Sequence, residues 1–198
     1  MKILDNPRVY RATQITLAPG SVHILGGKIR KILRAYRPGN RILDVGCGPV
    51  SLLARNGIAP IGLDLTHSYM QAYSMTGPCV VASGDHMPFA SGSFDSVWTI
   101  SMLHHVPDSV ASAIVAEMVR VCRPGGLVVV LDSIMPRHAF TRPVAYAIRR
   151  LDRGAFVRTE ERLRAVIDRG NPFSKSVERF TSTLTGLEAL LSVTQLPA

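Results

Sequence analysis

Five short apolar runs alternate with polar or helical stretches, and this alternation limits the folds open to the chain more than any other feature. The runs cover residues 41–45, 60–65, 79–82, 94–100 and 126–131. Strands that are short, apolar on both faces and separated by helices are typical of a parallel sheet covered on both sides. The sequence therefore predicts an α/β fold.

Two of the intervening stretches have helical periodicity. Apolar residues recur at three- and four-residue steps through residues 22–36, and Pro38-Gly39 then ends that helix. A second helix is predicted for residues 109–122, with Asp108 as its N-cap and the Arg123-Pro124-Gly125-Gly126 turn at its end.

Length and composition favour one domain without a membrane span. A chain of 198 residues with 46% hydrophobic residues is enough for a single sizeable core. We find no uninterrupted apolar stretch of membrane-spanning length and no apolar signal core near the charged N-terminus, so we expect a cytoplasmic protein. Cys47, Cys79 and Cys122 are widely separated, which predicts reduced thiols and neither a disulfide framework nor a metal site.

The net charge of +9 is unevenly distributed along the chain. Residues 1–41 carry +8, residues 42–132 carry −4 and residues 133–179 carry +6. Solvated helix faces explain this pattern as well as a basic rim around a site for an anionic ligand does, and both interpretations stay open.

A glycine turn with an acid at its start follows the first predicted strand. The segment is Asp44-Val45-Gly46-Cys47-Gly48-Pro49-Val50, and its glycines allow a ligand close to the backbone. A dinucleotide fingerprint requires a third glycine at position 51, where Ser51 stands, and Asp44 would repel a pyrophosphate. The turn therefore favours a ligand that carries positive charge.

Two further acids end the second and third predicted strands. Asp64 follows Asp44 by twenty residues, where a carboxylate can accept hydrogen bonds from both hydroxyls of a ribose. Asp85 is placed to accept from an adenine amine, while Met87 or Phe89 packs on the ring. Each acid alone is equally explained as an N-cap or turn residue, but three acids at successive strand ends are not.

From Ile42 to Asp132 the sequence resembles the class I methyltransferases that use S-adenosylmethionine (SAM), specifically the small-molecule group called methyltransferase type 11. The resemblance rests on DVGCG, on Asp64 and Asp85, on FDSVWTISMLHHVPD and on the RPGG turn. It implies SAM as cofactor, S-adenosylhomocysteine (SAH) as product and a set of cofactor-binding residues. These are Asp44, Gly46, Cys47 and Gly48 at the methionine part, Asp64 and Leu65 at the ribose, Asp85, His86 and Met87 at the adenine, and Ser101 and Met102 at the sulfonium.

The resemblance also implies a Rossmann-like, mostly parallel seven-stranded sheet with helices on both faces and a C-terminal β-hairpin. The single domain, residues 1–198, is then divided into a basic helical segment (1–41), a SAM-binding core (42–132), a helical substrate cap (133–175) and the hairpin (176–198). Val50 departs from the family, which usually has glycine there, and the helix after it is short. We expect the branched Val50 side chain to narrow the methionine pocket.

His104 and His105 are the candidate catalytic residues. A histidine at the end of the fourth strand suits proton abstraction from a methyl acceptor, and shaping of the pocket is the competing role. His23, His67 and His138 have no ligand spacing with one another, and no metal site is predicted.

The sequence thus predicts a SAM-dependent methyltransferase that acts on a small acceptor, anionic or lipid-linked. A non-catalytic SAM-binding module and an RNA-directed methyltransferase remain the alternatives. Nucleic acid is the less favoured partner, because Ser101-Met102-Leu103-His104 lacks the motif of amino-group DNA methylation and no cluster of base-stacking aromatics is visible. An apolar stripe through Phe140, Val144, Ile148 and Leu151, bordered by arginines, is best explained by a helix packed on the sheet edge. A lid, a dimer face and a membrane-surface helix are the alternatives, and the oligomeric state is left open.

Overall fold

A seven-stranded sheet organises the chain. The computed structural model describes residues 19–137, 140, 142–151 and 155–198. The strands are β1 (Ile42–Val45), β2 (Ile61–Asp64), β3 (Cys79–Val81), β4 (Phe94–Ile100), β5 (Cys122–Ile134), β6 (Ser176–Thr181) and β7 (Glu188–Gln195). Their order is β3-β2-β1-β4-β5-β7-β6, with β1 to β5 parallel and β7 antiparallel to both β5 and β6. The predicted Rossmann-like sheet and C-terminal hairpin are confirmed.

Helices cover both faces of this sheet. They are α1 (Ser21–Tyr36), α2 (His67–Tyr73), α3 (Asp108–Val121), α4 (Pro143–Leu151) and α5 (Glu160–Gly170), with 3-10 turns at Ala54–Asn56 and Leu103–His105. The buried side of α1 packs with Trp98 and β5 residues on one face. On the other face α3 and α5 share a core with Leu43 and Val97. No helix among the described residues is long and apolar enough to cross a membrane.

Two predicted boundaries on α3 and β5 are wrong. Asp108 is the first residue of α3 and not its N-cap: Pro107 precedes the helix without a side-chain cap, and the Asp108 carboxylate pairs with Arg158 and Arg162. Strand β5 begins at Cys122 because the RPGG turn forms an irregularity inside the strand, where the pairing with β4 shifts register.

The helix expected after the glycine turn is as short as predicted. It is a single 3-10 turn, and Gly57 ends it with a φ of 81°. Helix α1 approaches this turn closely, since a Cβ at Gly26 would lie 2.9 Å from the Asn56 side-chain oxygen. Arg30 donates to the same oxygen at 2.6 Å, which ties α1 to the turn.

The segment predicted as a substrate cap has two different parts. Helix α5 packs beside α3 on one face of the sheet. Gly170 lies so near α3 that a Cβ there would be 2.4 Å from the Ser112 carbonyl oxygen. Helix α4 buries Ala145 and Arg149, while Val144 on its other side is 61% exposed. The apolar stripe noted in the sequence therefore contains exposed residues, and Phe140 is fully exposed.

Candidate cofactor and active site

The glycine turn after β1 is held against the end of β2. Gly46 and Gly48 have φ values of 70° and 63°, a region that favours glycine. The Gly46 and Cys47 N–H groups donate to the Leu63 carbonyl oxygen at 2.7 and 3.2 Å, and the Gly48 N–H donates to Asp64 Oδ2 at 3.1 Å. These bonds fix the path of the turn before any ligand binds.

Asp44 is buried beneath this turn. The Ser51 hydroxyl donates to Asp44 Oδ2 at 2.5 Å. Burial raises the pKa of Asp44 to about 7; the Ser51 hydrogen bond opposes the increase and the nearby Asp64 charge adds to it. The free protein therefore holds a carboxyl group that a neighbouring positive charge would ionise.

Asp64 lies at the end of β2 and remains partly exposed. Its two oxygens accept from the Gly48 N–H and from the Thr66 N–H, the latter at 2.8 Å. A carboxylate offers about four lone-pair sites, so each oxygen keeps capacity for a further donor such as a ribose hydroxyl. Beside it, Leu65 is 71% exposed, an apolar surface next to a polar acceptor.

The residues after β3 only partly meet the expectation for an adenine site. Asp85 accepts from the Ser83 hydroxyl, which is the main cause of its lowered pKa, and the neighbouring His86 side chain is exposed. Met87 is buried in the main core, and its N–H donates to Glu117 Oε2 at 2.8 Å. Its side chain is committed to the core, so the idea that it packs on an adenine ring gains no support from this placement.

Strand β4 ends in a constrained backbone opposite the glycine turn. Ser101 has a φ of 55°, in the left-handed region, and its N–H donates to the Leu131 carbonyl oxygen at 2.8 Å. Met102 occupies the space that a side chain at Gly46 would need, because a Cβ there would lie 2.2 Å from Met102 Cγ. The ends of β1 and β4 therefore meet where the resemblance predicts the methionine and sulfonium parts.

A buried histidine and aspartate face each other at the ends of β4 and β5. His104 Nδ1 lies 2.5 Å from Asp132 Oδ1, and both residues are buried. Asp132 Oδ1 also accepts from the Ser133 N–H, whereas Asp132 Oδ2 is buried without a hydrogen-bond partner. A carboxylate only accepts hydrogen bonds, so this contact requires a proton on Nδ1, and the neutral form of the ring then has its lone pair on Nε2.

The other histidines have different settings. The exposed His105 ring lies 4.1 Å from the His104 ring, centroid to centroid. His23 and His67 are exposed, and His138 lies outside the described residues. Within the described parts of the chain, no group of three or more His, Cys, Asp and Glu side chains is arranged to hold a metal ion.

Reasoning from sequence missed three polar residues of this region. In the sequence, Ser51 stands only where a dinucleotide fingerprint has glycine, yet its hydroxyl donates a hydrogen bond to Asp44. Asp132 could have been predicted as a site residue, since an acid that follows a buried apolar run needs a hydrogen-bond or charge partner. Arg158 had no local signal, because it lies among other charged residues and its partners are about fifty positions away.

Comparison with known proteins finds a family that matches part of the chain. Residues 43–130 match the sequence model of a family described as a methyltransferase domain. A 2-methyl-6-phytyl-1,4-hydroquinone methyltransferase of Synechocystis is 37% identical over 105 residues, which are 48% of this chain and 32% of that protein. The crystal structure of a SAM-dependent methyltransferase from Archaeoglobus fulgidus superposes with a TM-score of 0.73 at 13% identity, covering 94% of this chain and 99% of the other. Together these findings support a class I SAM-dependent methyltransferase domain in the matched region.

A second named relative is similar over a longer stretch. The 27-O-demethylrifamycin SV methyltransferase of Amycolatopsis mediterranei is 28% identical over 132 residues, or 60% of this chain and 48% of that protein. The chain thus matches less than half the length of either curated relative. The family model covers residues 43–130, so its match ends within β5.

SAM is the cofactor that the family and the fold indicate, and the residues at the strand ends suit it. The glycine turn has no side chain at Gly46 and Gly48, Asp44 favours a cation, Asp64 has remaining acceptor capacity and Leu65 offers an apolar face. The individual roles of Asp44, Asp64, Asp85 and Ser101 in this methyltransferase domain stay predictions.

Proposed function

We propose that this chain moves the methyl group of SAM to a small acceptor whose nucleophilic atom loses its proton to His104. Bound SAM would supply an electrophilic methyl group on its sulfonium sulfur, and SAH would be the leaving group. The observation that carries the proposal is the buried contact between His104 Nδ1 and Asp132 Oδ1 at 2.5 Å, beside the strand ends that carry the predicted cofactor residues. Much of the rate would come from holding the acceptor in line and excluding water.

The pair gives His104 the properties of a base. Asp132 orients the ring through Nδ1 and stabilises the imidazolium that forms when Nε2 takes a proton. The geometry parallels the use of a carboxylate to fix the tautomer of a general-base histidine. Asp132 does not need to exchange a proton in this step, because its burial keeps it away from the acceptor.

We further propose an acceptor with a large apolar part, lipid-linked or anionic. Phe140, Val144 and Leu184 are exposed by 100%, 61% and 81%. Leu184 lies in the turn before β7, and β7 begins opposite the carboxyl end of β5, the edge that carries His104 and Asp132. The two named relatives carry the names of a phytyl-substituted hydroquinone and of a rifamycin, which is compatible with such an acceptor.

The proposed negative charge of the acceptor has weaker support than its apolar character. Arg142 donates to the Gly186 carbonyl oxygen at 2.8 Å, and the buried Arg149 contacts the Glu188 carbonyl oxygen at 3.4 Å. Arg37 and Arg41 precede β1 and so lie at the opposite edge of the parallel sheet from the predicted cofactor residues. What supports an anionic acceptor is therefore the charge of whole segments and not a described cluster of unpaired arginines.

The first experiment separates the candidate functions. Calorimetry with SAM and SAH measures cofactor binding, and a screen with methyl-labelled SAM covers phenols, lipid-linked acceptors, matched neutral and anionic compounds, and RNA. We expect binding, transfer to an apolar small acceptor, and a preference for anions that fades with salt. Binding without transfer to any class would favour the non-catalytic module, and transfer to RNA alone would overturn the small-acceptor proposal.

The second experiment tests the base. We expect His104→Gln to lower kcat by about 10²- to 10⁴-fold with an unchanged Kd for SAM. Asp132→Asn should lower kcat by about 10- to 100-fold, and the exposed His67→Gln serves as the matched control. Full turnover by His104→Gln would remove the histidine from the chemistry.

The third experiment tests the apolar edge. Val144→Ser is compared with Met75→Ser, an even more exposed apolar position (85% against 61%) that follows α2 and lies away from that edge. We expect the first variant to raise KM for an apolar acceptor and the second to leave it unchanged. If Val144→Ser raised the KM for the acceptor no more than Met75→Ser does, the acceptor would not contact α4.

A further inference from the structure

A fully buried guanidinium contacts the turn that carries His104. Arg158 is 2% exposed and lies in the segment between α4 and α5. Its Nη1 donates to the Leu103 carbonyl oxygen at 2.7 Å, and its Nη2 donates to the Val106 carbonyl oxygen at 2.7 Å. These two carbonyl groups flank the histidine pair on either side.

The backbone beside Arg158 adds a third bond to the same turn. The Phe156 N–H donates to the His104 carbonyl oxygen at 3.1 Å. The Arg158 carbonyl oxygen accepts from the Met135 N–H at 2.8 Å, and Arg158 bridges to Ile134 at the end of β5. His104 is thus held through its backbone by residues 156–158 and through its ring by Asp132.

The charge of Arg158 is balanced by an acid outside this turn. Arg158 Nε donates to Asp108 Oδ1 at 2.8 Å, and the exposed Arg162 donates to Asp108 Oδ2 at 2.7 Å. The two arginines therefore share one carboxylate, but no hydrogen bond joins Arg162 to a carbonyl group of the turn in the described contacts. This difference separates ion pairing with Asp108 from contact with the turn.

Filling space does not require an arginine at this position. Burying a guanidinium costs free energy that an apolar side chain of similar volume avoids. What an apolar side chain cannot supply is a planar set of donors that reaches two carbonyl groups and a carboxylate at once. The geometry of the three bonds therefore explains the residue type better than packing does.

We propose that Arg158 is a positioning residue that fixes the Leu103–Val106 turn so that the His104 ring meets Asp132. The proposal deepens the function proposed above, since it adds a residue that acts through His104 without touching the acceptor. It also makes residues 156–158 part of the active-site framework, although they lie far from the cofactor-binding core in sequence.

The test uses the full chain and a readout that needs no acceptor. In protein with ¹⁵N-labelled histidine, the His104 Nδ1 proton is identified as the NMR resonance that His104→Gln and Asp132→Asn both lose. Arg158→Lys keeps the positive charge for Asp108 but cannot reach both carbonyl groups. Arg162→Gln is the matched control, because it removes a cation from the same carboxylate and leaves the turn untouched.

We expect Arg158→Lys to lose or shift this resonance well below its unfolding temperature, and Arg162→Gln to retain it. With an acceptor in hand, Arg158→Lys should lower kcat by about 10- to 100-fold while the Kd for SAM stays the same. If Arg158→Lys does not fold, Arg158→Gln is used, which leaves no buried cation and cannot reach both carbonyl groups, and the same loss is expected.

An unchanged resonance in a folded Arg158→Lys variant would overturn the proposal and leave Arg158 with a purely structural role. So would an equal effect of Arg162→Gln, which would assign the effect to Asp108. Failure of the parent protein to transfer methyl groups would contradict the proposed function but not this one, because the resonance reports the pairing of His104 with Asp132 directly.

Discussion

Asp44 shows how one buried group can oppose stability and favour binding. Because burial raises its pKa from 3.8 to about 7, the free energy of unfolding falls as pH rises through that interval. A cationic ligand beside the carboxyl group would reverse this loss by stabilising the ionised form. The same residue then links protonation to cofactor binding.

We therefore predict that SAM affinity rises with pH from about 6 to 8, by at most about tenfold per unit, with release of a proton from Asp44. Asp44→Asn should bind SAM more weakly at pH 8, lack this part of the pH dependence and unfold at a higher temperature there. Calorimetry in two buffers of different ionisation enthalpy measures the proton. Titration of SAM itself is common to both proteins, so identical slopes would remove Asp44 from the linkage.

Asp64 has two roles that a single substitution does not separate. It is the predicted ribose acceptor, and it also accepts from the Gly48 N–H and the Thr66 N–H. We predict that Asp64→Ala weakens SAM binding by about 5- to 150-fold, from the loss of hydrogen bonds that contribute about 1 to 3 kcal/mol.

The ribose role is isolated by the ligand. SAH analogues that lack the 2′- or 3′-hydroxyl should bind the parent more weakly than SAH, and Asp64→Ala should show little of this discrimination. If the variant still distinguished the analogues as the parent does, Asp64 would act only on the glycine turn.

At this scale the sequence predicts acids at strand ends but not their partners. Asp44, Asp64 and Asp85 follow apolar runs, so their edge of the sheet could be inferred. The partners of His104 and of its turn are Asp132 and Arg158, which long-range pairing of β4, β5 and the segment before α5 brings together. Local sequence patterns do not predict such long-range contacts.

Among the elements, the glycine turn and the 3-10 turn after it form one stiff unit. Ser51 joins them, because its hydroxyl donates to Asp44 and accepts from the Leu53 N–H at 3.1 Å. Val50 lies between the two turns and is half-buried, and its φ is outside the left-handed region. The backbone at this position does not require glycine.

We predict that Val50→Gly keeps the fold and tightens SAM binding because it removes bulk beside the methionine part. Val50→Ala is the matched variant, since it removes most of the side chain without the added flexibility of glycine. Similar gains in both would assign the effect to space, and calorimetry measures each. Unchanged or weaker binding in both would show that the turn is already adapted to valine.

Strand positions were predictable because apolar runs on both faces leave few alternatives, and β4 matches its predicted bounds. The start of β5 could not be predicted, because the glycines of the RPGG turn favour a loop before residue 126. In the structure, pairing with β4 already begins at Cys122, which is opposite Phe94. Tertiary pairing overrides the local turn signal there.

At the scale of the molecule, acids of the core, of α5 and of the hairpin neutralise arginines of the later basic segment. Asp108 binds Arg158 and Arg162, and Glu160 binds Arg137, Arg164 and Arg179. Many of the positive charges that suggested a rim around the site therefore fasten α5 and the hairpin to the sheet. Segment charge predicted the basic character but not where its counter-charges lie.

Glu160 is the centre of this fastening and gives the last prediction. It begins α5 and joins Arg137, which follows β5, to Arg179 in β6. Hydrogen bonds from Arg179, and then from Arg164 and Arg137, lower the pKa of Glu160 from 4.5 to about 2. A lowered acid pKa contributes stability that is fully present above about pH 4.5 and is lost as pH falls towards 2.

We predict that Glu160→Gln costs about 2 kcal/mol at pH 7, because three arginines lose their shared carboxylate. For a chain of this size that is a fall in unfolding temperature of about 4 to 8 °C. The gap between parent and variant should narrow as pH falls from 4.5 towards 2, where the parent carboxylate is protonated. Thermal unfolding followed by circular dichroism measures both, with the neighbouring exposed Glu161→Gln as control. A gap that stayed constant across this pH range would mean that the Glu160 charge does not hold α5 to the hairpin.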